Sequence, residues 1–447
     1  MRLLVAATML VMVAAASAQT QWMHELIYAK AWDIDRNSWN LGLNHDGVPA
    51  YTLSSAKTGN MHVFRYKTDL NKWYLPSPSA GYGGPINDFG DVAFKALTTE
   101  SIHVIGGGGH DYFTEVFGNS LEYNVTVRYI DNQGRPLWYK RGGDESHQVF
   151  RGSEELSAGR NVWVFKLLDM NRQGDAVWSA WEEGSDTDLF HLYLNDRNVS
   201  RPLVGPNGDG GTGAINDHGD LLWGGGGDYT GGFSDLFLND VNLTADRYPY
   251  PHYAGAIDMS NSGHLFWSLY MDNQERLMLD FEDISSPVFG GHRYRLFGFQ
   301  YFLSESGDVL WKATDDETDL VAIFRNREDI SSDVLGDYTN GGGMRGIGMD
   351  DFGNALWEGA GSLTGNKYEV FVNTFNLSRD ALPDGDYAHA CALAIGGNGH
   401  VLWKTQDANG IEDLYLSTPV PEPSMLLLAL PLLLVACRRP RRDCPSP

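Results

Sequence analysis

Ile215-Asn216-Asp217-His218-Gly219-Asp220-Leu221-Leu222-Trp223 reads as a turn followed by a short strand, and it recurs along the chain. Asn and Asp side chains bond their own backbone two residues on, and glycine accepts positive φ, so Asn216 to Gly219 is the turn. Glycines followed four residues later by an aromatic stand at Gly47, Gly90, Gly134, Gly174, Gly219, Gly263, Gly307, Gly353 and Gly399. Their aromatics are Tyr51, Phe94, Trp138, Trp178, Trp223, Trp267, Trp311, Trp357 and Trp403. Successive glycines lie 43, 44, 40, 45, 44, 44, 46 and 46 residues apart, a period that marks a repeat architecture.

Within the strand, Leu221 and Trp223 share one face and Leu222 takes the other. Both faces are apolar, as they are in Val309-Leu310-Trp311 and Val401-Leu402-Trp403, so the strand needs protein on both sides. Further on, Leu192-Tyr193-Leu194-Asn195-Asp196-Arg197-Asn198-Val199 matches Leu236-Phe237-Leu238-Asn239-Asp240-Val241-Asn242-Leu243, a strand, an Asn/Asp turn and a second short strand. Before the anchor glycine runs a strand of small residues, as in Gly213-Ala214-Ile215 and Gly346-Ile347-Gly348. Four short strands per repeat, small inside and polar-tipped outside, are the anatomy of a propeller blade. The expected fold is all-β, a β-propeller of about nine four-stranded repeats of about 44 residues. Eight or nine blades fit the period. The tryptophans are read as core posts, since one per repeat at one register is a structural pattern. The first copy is the most degenerate, with Pro49 in its strand.

The turn with its tryptophan, followed by a strand such as Asp413-Leu414-Tyr415-Leu416, resembles the repeats of secreted TolB-like propellers. The turn is also similar to the sialidase Asp-box, but the aromatic falls one residue later and the leading Ser/Thr is absent, so sialidase chemistry is not carried over.

The two ends carry addresses. Residues 1–18 combine Arg2, an apolar run from Leu3 to Ala15 and the small-residue cleavage site Ala16-Ser17-Ala18, a signal peptide. The repeat body spans 19–418. Residues 22–34 read as one strand that completes the last repeat, which lacks its own final strand. From 419 to 447 come Pro421-Glu422-Pro423, a short hydrophobic helix over Met425 to Cys437, then Arg438, Arg439, Arg441 and Arg442. This order resembles the PEP-CTERM sorting signal of Gram-negative bacteria. The resemblance implies transient inner-membrane anchoring, recognition by an exosortase-like processing enzyme, and release to the cell surface or extracellular space. The apolar run is short for a hydrocarbon core of roughly 30 Å, and the arginines favour a cytoplasmic end. A permanent membrane anchor is the alternative.

Composition excludes several partners. The chain holds 33 Lys+Arg against 58 Asp+Glu, a net charge of −25. Arg2 and the tail arginines lie outside the body, which is therefore more acidic still. Such a charge opposes nucleic acid and anionic lipid. Calcium at Asn207-Gly208-Asp209-Gly210 is the one cofactor considered, although the spacing matches no EF-hand; otherwise none is expected. Of three cysteines, Cys437 and Cys444 lie in the tail, which leaves Cys391 without an internal partner.

No HExxH, CxxC, GxSxG or P-loop occurs. Asp91, Asp175, Asp220 and Asp308 each follow an anchor glycine, and a residue repeated per unit serves the turn rather than catalysis. His218, His264 and His400 are read as exposed turn residues, and the runs Gly106–Gly109 and Gly224–Gly227 as flexible loop. Asp111-Tyr112-Phe113 and Tyr248-Pro249-Tyr250-Pro251 are candidates for stacking on sugars. A carboxylate pair at a propeller centre can hydrolyse glycosides, but the sequence selects no pair. The expectation is an exported, non-enzymatic propeller that binds polysaccharide or a surface protein. A polysaccharide-cleaving hydrolase or lyase and a purely structural matrix protein are the alternatives.

Overall fold

The computed structural model describes residues 21–420 except 30–31, 35–41, 56–60, 75–79, 99–100, 119, 121–123, 142–146, 161, 183–188, 250, 290–293, 297–300, 316–318, 320, 337–343, 384–386 and 411. The signal peptide with Ala16 and Ala18, and the sorting tail with Pro421, Glu422, Pro423, Arg438, Arg439, Arg441 and Arg442, fall outside the described residues. So does the C-terminal hydrophobic helix. Among the described residues no helix is long and apolar enough to cross a membrane.

The chain is mostly β, folded into a succession of small antiparallel sheets. Each repeat contributes a ladder in chain order. In the fifth, Asp209–Ile215 pairs with Leu221–Gly226, which pairs with Ser234–Leu238, which pairs with Val241–Asn242. The eighth repeats this with Arg345–Met349, Ala355–Gly359, Glu369–Val372 and Phe375–Asn376. Helices are short and follow the hairpins, as at Arg201–Val204 and Leu377–Ala381. Residue packing separates a body, Leu26–Leu416, from a small unit made of Met1–Glu25 and Ser417–Pro447. In the small unit, His24 Nδ1 and the buried Ser417 Oγ are hydrogen-bonded at 2.7 Å.

All nine anchor glycines have positive φ, from +77° at Gly47 to +94° at Gly174, the conformation that L side chains resist. Each turn aims the next strand so that its aromatic is buried. Trp138, Trp178, Trp223, Trp267, Trp311, Trp357 and Trp403 are all 0% exposed.

Two further contacts fix each ring. It stacks on the aromatic directly opposite in the next strand, as Trp223 does on Phe237 at 4.2 Å and Trp178 on Tyr193 at 4.1 Å. In Trp138, Trp178, Trp223, Trp267, Trp311 and Trp357 the indole N–H donates to the backbone carbonyl of a hairpin residue held in the left-handed region. Trp223 Nε1 reaches Asn239 O at 2.8 Å, and Trp357 Nε1 reaches Asn373 O at 2.6 Å. Asn239 has φ +54° and Asn373 φ +52°. In the sixth repeat Met278 replaces the opposite aromatic, and Trp267 meets Tyr248 and Phe281 edge-on instead.

The asparagine is itself held. Asn239 Oδ1 accepts from Leu221 N at 2.9 Å, and its Nδ2 donates to Asp220 Oδ1 at 3.1 Å. Asp175 and Asp308 receive Asn195 and Asn326 in the same way. Asp175, Asp220 and Asp308 therefore lock the hairpin beneath the tryptophan. Asn239→Ala is expected to lower unfolding free energy by about 1–3 kcal/mol, through lost hydrogen bonds and left-handed strain. Asn239→Gly should regain part of it. Urea titration of the three proteins checks this.

The N-terminal segment differs from a single strand over 22–34. It forms Gln21–Ala29 and Trp32–Ile34, which enter different sheets. Gln21–Ala29 lies beside Glu412–Val420 in the sheet of the last repeat, while Trp32–Ile34 pairs with Pro49–Ser55 in the first. Pro49 opens its strand, a place where a missing N–H is tolerated. Ile27, Tyr51, Leu53, Phe64, Leu402, Leu414 and Leu416 form one buried cluster, which joins the first repeat to the last. Asn398 Nδ2 lies 3.2 Å from His45 Nδ1 across the same junction. A chain starting at residue 36 should melt lower by roughly 5 °C or more, since it loses Ile27 and the edge pairing. A thermal scan by circular dichroism measures this.

Candidate functional site

The strand before each anchor turn carries small residues, and at one of its positions Tyr129, Asp169, Asp258 and Phe302 break that pattern. Five residues before the glycine stand Gly42, Pro85, Tyr129, Asp169, Ala214, Asp258, Phe302, Gly348 and Ala394. Ladder register shifts occur just before Tyr129, Asp169, Asp258, Gly348 and Ala394. Such bulges re-aim the side chain that follows. Gly42, Asp258, Phe302, Gly348 and Ala394, from five different repeats, line one cavity of 320 Å³.

Asp169 and Asp258 each tie their own repeat to the next. Asp169 Oδ2 accepts from Ile215 N at 2.9 Å and Oδ1 from Met170 N at 2.8 Å. Asp258 Oδ1 accepts from Met259 N at 2.8 Å, and its carboxylate also receives the Leu303 N–H. Burial pushes the Asp258 carboxyl up to about 7, with the Asp169 charge adding to the rise and the two backbone N–H groups opposing it. Burial likewise pushes Asp169 up to about 6, opposed by Ile215 and Met170 N–H. The buried Tyr129 hydroxyl donates to Leu168 O, and its acidity is weakened by burial and by both carboxylates.

A tier of turn residues links neighbouring repeats. Asn87 Nδ2 donates to Asp131 O at 2.8 Å, Arg172 N to Asp217 Oδ1 at 2.9 Å, and Asp217 N to Asn261 Oδ1 at 2.6 Å. Asn261 N in turn donates to Glu305 Oε2 at 2.8 Å. Arg172 bridges Asp88 and Asp217 at 3.1 and 3.3 Å. The turns thus carry structure between units as well as within them.

Several sequence expectations need correction. Phe113 is fully buried against Trp138, so it is not free to stack on a sugar; Tyr248 is half-buried, edge-on to Trp267, and Tyr250 lies outside the described residues. His400 is not an exposed turn residue: it sits where a Cβ on Gly47 would fall, 1.8 Å from its Cδ2, and burial lowers its pKa. His218 is exposed and His264 half-buried beside Asp280. Gly224–Gly226 belong to the strand Leu221–Gly226 rather than to a loop, and Gly107–Gly109 form a tight 3₁₀ turn. Asp209 begins a strand and Asn207 donates to Asp228, so that stretch is no cation loop. Among the described residues no group of three or more His, Cys, Asp or Glu is placed to hold a metal ion. Cys391 is buried, its Sγ 2.8 Å from His389 Nε2.

No family model and no curated protein matches the chain. A solved structure from a structural and mechanistic analysis of two prolyl endopeptidases is similar at 11% identity and a TM-score of 0.34, over 86% of this chain. The chain spans about half, 54%, of that protein's length.

Proposed function

We propose that this chain is an exported, non-enzymatic β-propeller of nine four-stranded repeats that binds polysaccharide or a surface protein. Its N-terminal strand closes the ring by completing the last repeat. In this reading the signal peptide exports it, and an exosortase-like enzyme acts at Pro421-Glu422-Pro423 to release it at the cell surface or into the extracellular matrix. The packing of Ile27, Tyr51 and Phe64 with Leu402 and Leu414 supports closure.

The observation that carries the binding reading is the cavity where inner strands of separate repeats converge. It is concave and walled largely by small and apolar residues, with the carboxylate of Asp258 among them. Asp258 is held by backbone N–H groups, which fixes it as a recognition group rather than leaving it mobile. Glycan-array binding by the secreted protein, without product release from bacterial exopolysaccharides, is the expected result. The unequal rise of the two carboxyls favours a second reading, a hydrolase or lyase with one acid and one base. Turnover that vanishes in Asp169→Asn or Asp258→Asn would replace the first reading with the second. Mass spectrometry of the secreted C-terminus tests the processing step.

A further inference from the structure

We propose that a second site, a cleft between the fifth and sixth repeats, binds a neutral pyranose chain. This rests on the polysaccharide-binding reading and gives it a location away from the inner-strand carboxylates.

The cleft has a volume of 410 Å³, inside the usual range of about 300–1,000 Å³ for small-ligand sites. Its origin is visible in the sequence. After the buried tryptophan other repeats place side chains, Ser268-Leu269-Tyr270 or Lys404-Thr405-Gln406; the fifth has Gly224-Gly225-Gly226. Gly224 and Gly226 leave one face of that strand bare and Gly225 the other, and the backbone of neighbouring strands closes in on all three. Neighbouring strands are also thinned: the bulge between Gly210 and Thr212 takes Gly211 out of ladder register, and Gly255 faces the same space. The two sheets meet at one parallel bridge, Ser234 to Tyr253, clasped by Ser234 Oγ donating to Ala254 O at 2.8 Å. Further along, Ala256 N donates to Thr212 Oγ1 at 3.1 Å.

The lining chemistry selects the ligand. Tyr253 is 50% exposed, with Phe233 edge-on at 6.0 Å and Tyr270 at 6.4 Å. An amphipathic ring of this kind offers an apolar face beside a polar tip. Asn207, Asp209 and Thr212 supply donors and acceptors around it. Among the described residues no Lys, Arg or His lines the cleft, and the chain carries −25, so an anionic ligand is disfavoured. A wholly apolar guest would strand the polar rim. A neutral pyranose presents C–H groups on its faces and hydroxyls on its edge, and satisfies both.

Gly224 and Gly226 cannot serve as test positions, because a Cβ there would come within 2.8 Å of Ala254 O and 2.2 Å of Phe233 O. Gly211 is open, its nearest neighbour being Asp209 Oδ1 at 3.9 Å. The experiment is isothermal titration of the full secreted protein with cellohexaose, mannohexaose and isomaltohexaose, with hexagalacturonate as the anionic comparison. At least one neutral hexasaccharide should bind. Tyr253→Ala and Gly211→Val should each weaken it by about tenfold, with Tyr253→Phe nearer wild type and melting temperatures unchanged. Binding that survives Tyr253→Ala and Gly211→Val but falls in Asp258→Asn overturns the cleft and leaves polysaccharide binding standing. Binding of hexagalacturonate alone also overturns the cleft. Absence of binding to every glycan, on an array as in solution, overturns both.

Discussion

Trp223→Ala is expected to lower the unfolding free energy by about 3–5 kcal/mol, the range for deleting a large aromatic from a core. Trp223 is 0% exposed and belongs to a cluster with Val177 and Leu192 of the preceding repeat and Phe237 of its own. Removing the ring therefore opens a void between two repeats, and both must collapse to refill it. Phe237 loses the partner stacked 11° from parallel, and Asn239 O loses its indole donor. Trp223→Phe separates these effects. It keeps a stacking ring and removes the N–H, so it should cost about 1–2 kcal/mol, the value of one buried hydrogen bond left half-made. Urea denaturation of both variants gives the comparison. An unchanged midpoint for Trp223→Ala would mean that the repeats do not lean on the tryptophan, and the account of the fold would fail with it.

That post was legible because its cause is local and repeated. A turn that requires positive φ selects glycine, and a strand covered on both sides selects apolar residues on both faces. Each requirement is met at Gly219 and Leu221 to Trp223 without reference to the rest of the chain. What the sequence hid was set by contacts between repeats. His400 looks like a turn residue until the first repeat supplies Gly47 above it. Gly224–Gly226 look like a loop because glycine has poor strand propensity, yet the ladder on both sides holds them extended. Asp169 and Asp258 are two acids among many. They stand out only when all repeats are aligned on the glycine, where the equivalent positions hold Gly42, Ala214, Gly348 or Ala394. That alignment was within reach of the sequence alone; the bulges that re-aim the side chains and the cavity that Asp258 lines were not.

Asp258→Asn is expected to make the protein more stable at pH 8 and to have little effect at pH 4. The Asp258 carboxyl rises from 3.8 to about 7 in the folded chain, because burial among Phe302, Leu303 and Ile347 disfavours its charge. The charges of Asp169 and Glu305 add to that, and the N–H groups of Met259 and Leu303 offset only part. Between pH 4 and 7 the unfolded chain releases this proton and the folded chain retains it, so folding binds a proton and stability falls as pH rises. Below pH 4 both states are protonated and there is no penalty. Above pH 7 both are ionised and the penalty is complete. At about 1.4 kcal/mol per pKa unit the ceiling is about 4 kcal/mol, and a gain of about 2–4 kcal/mol is expected for the asparagine variant. Asp169→Asn provides the cross-check. Without the neighbouring charge, the Asp258 proton should leave at lower pH, and the window in which stability declines should shift downward. Urea titrations at pH 4, 6 and 8 read all three proteins. If Asp258→Asn were instead less stable at pH 8, the ionised carboxylate would be holding the Leu303 N–H more strongly than burial opposes it. Asp258 would then be a charged bracket between the sixth and seventh repeats rather than an acid held near neutrality in a cavity.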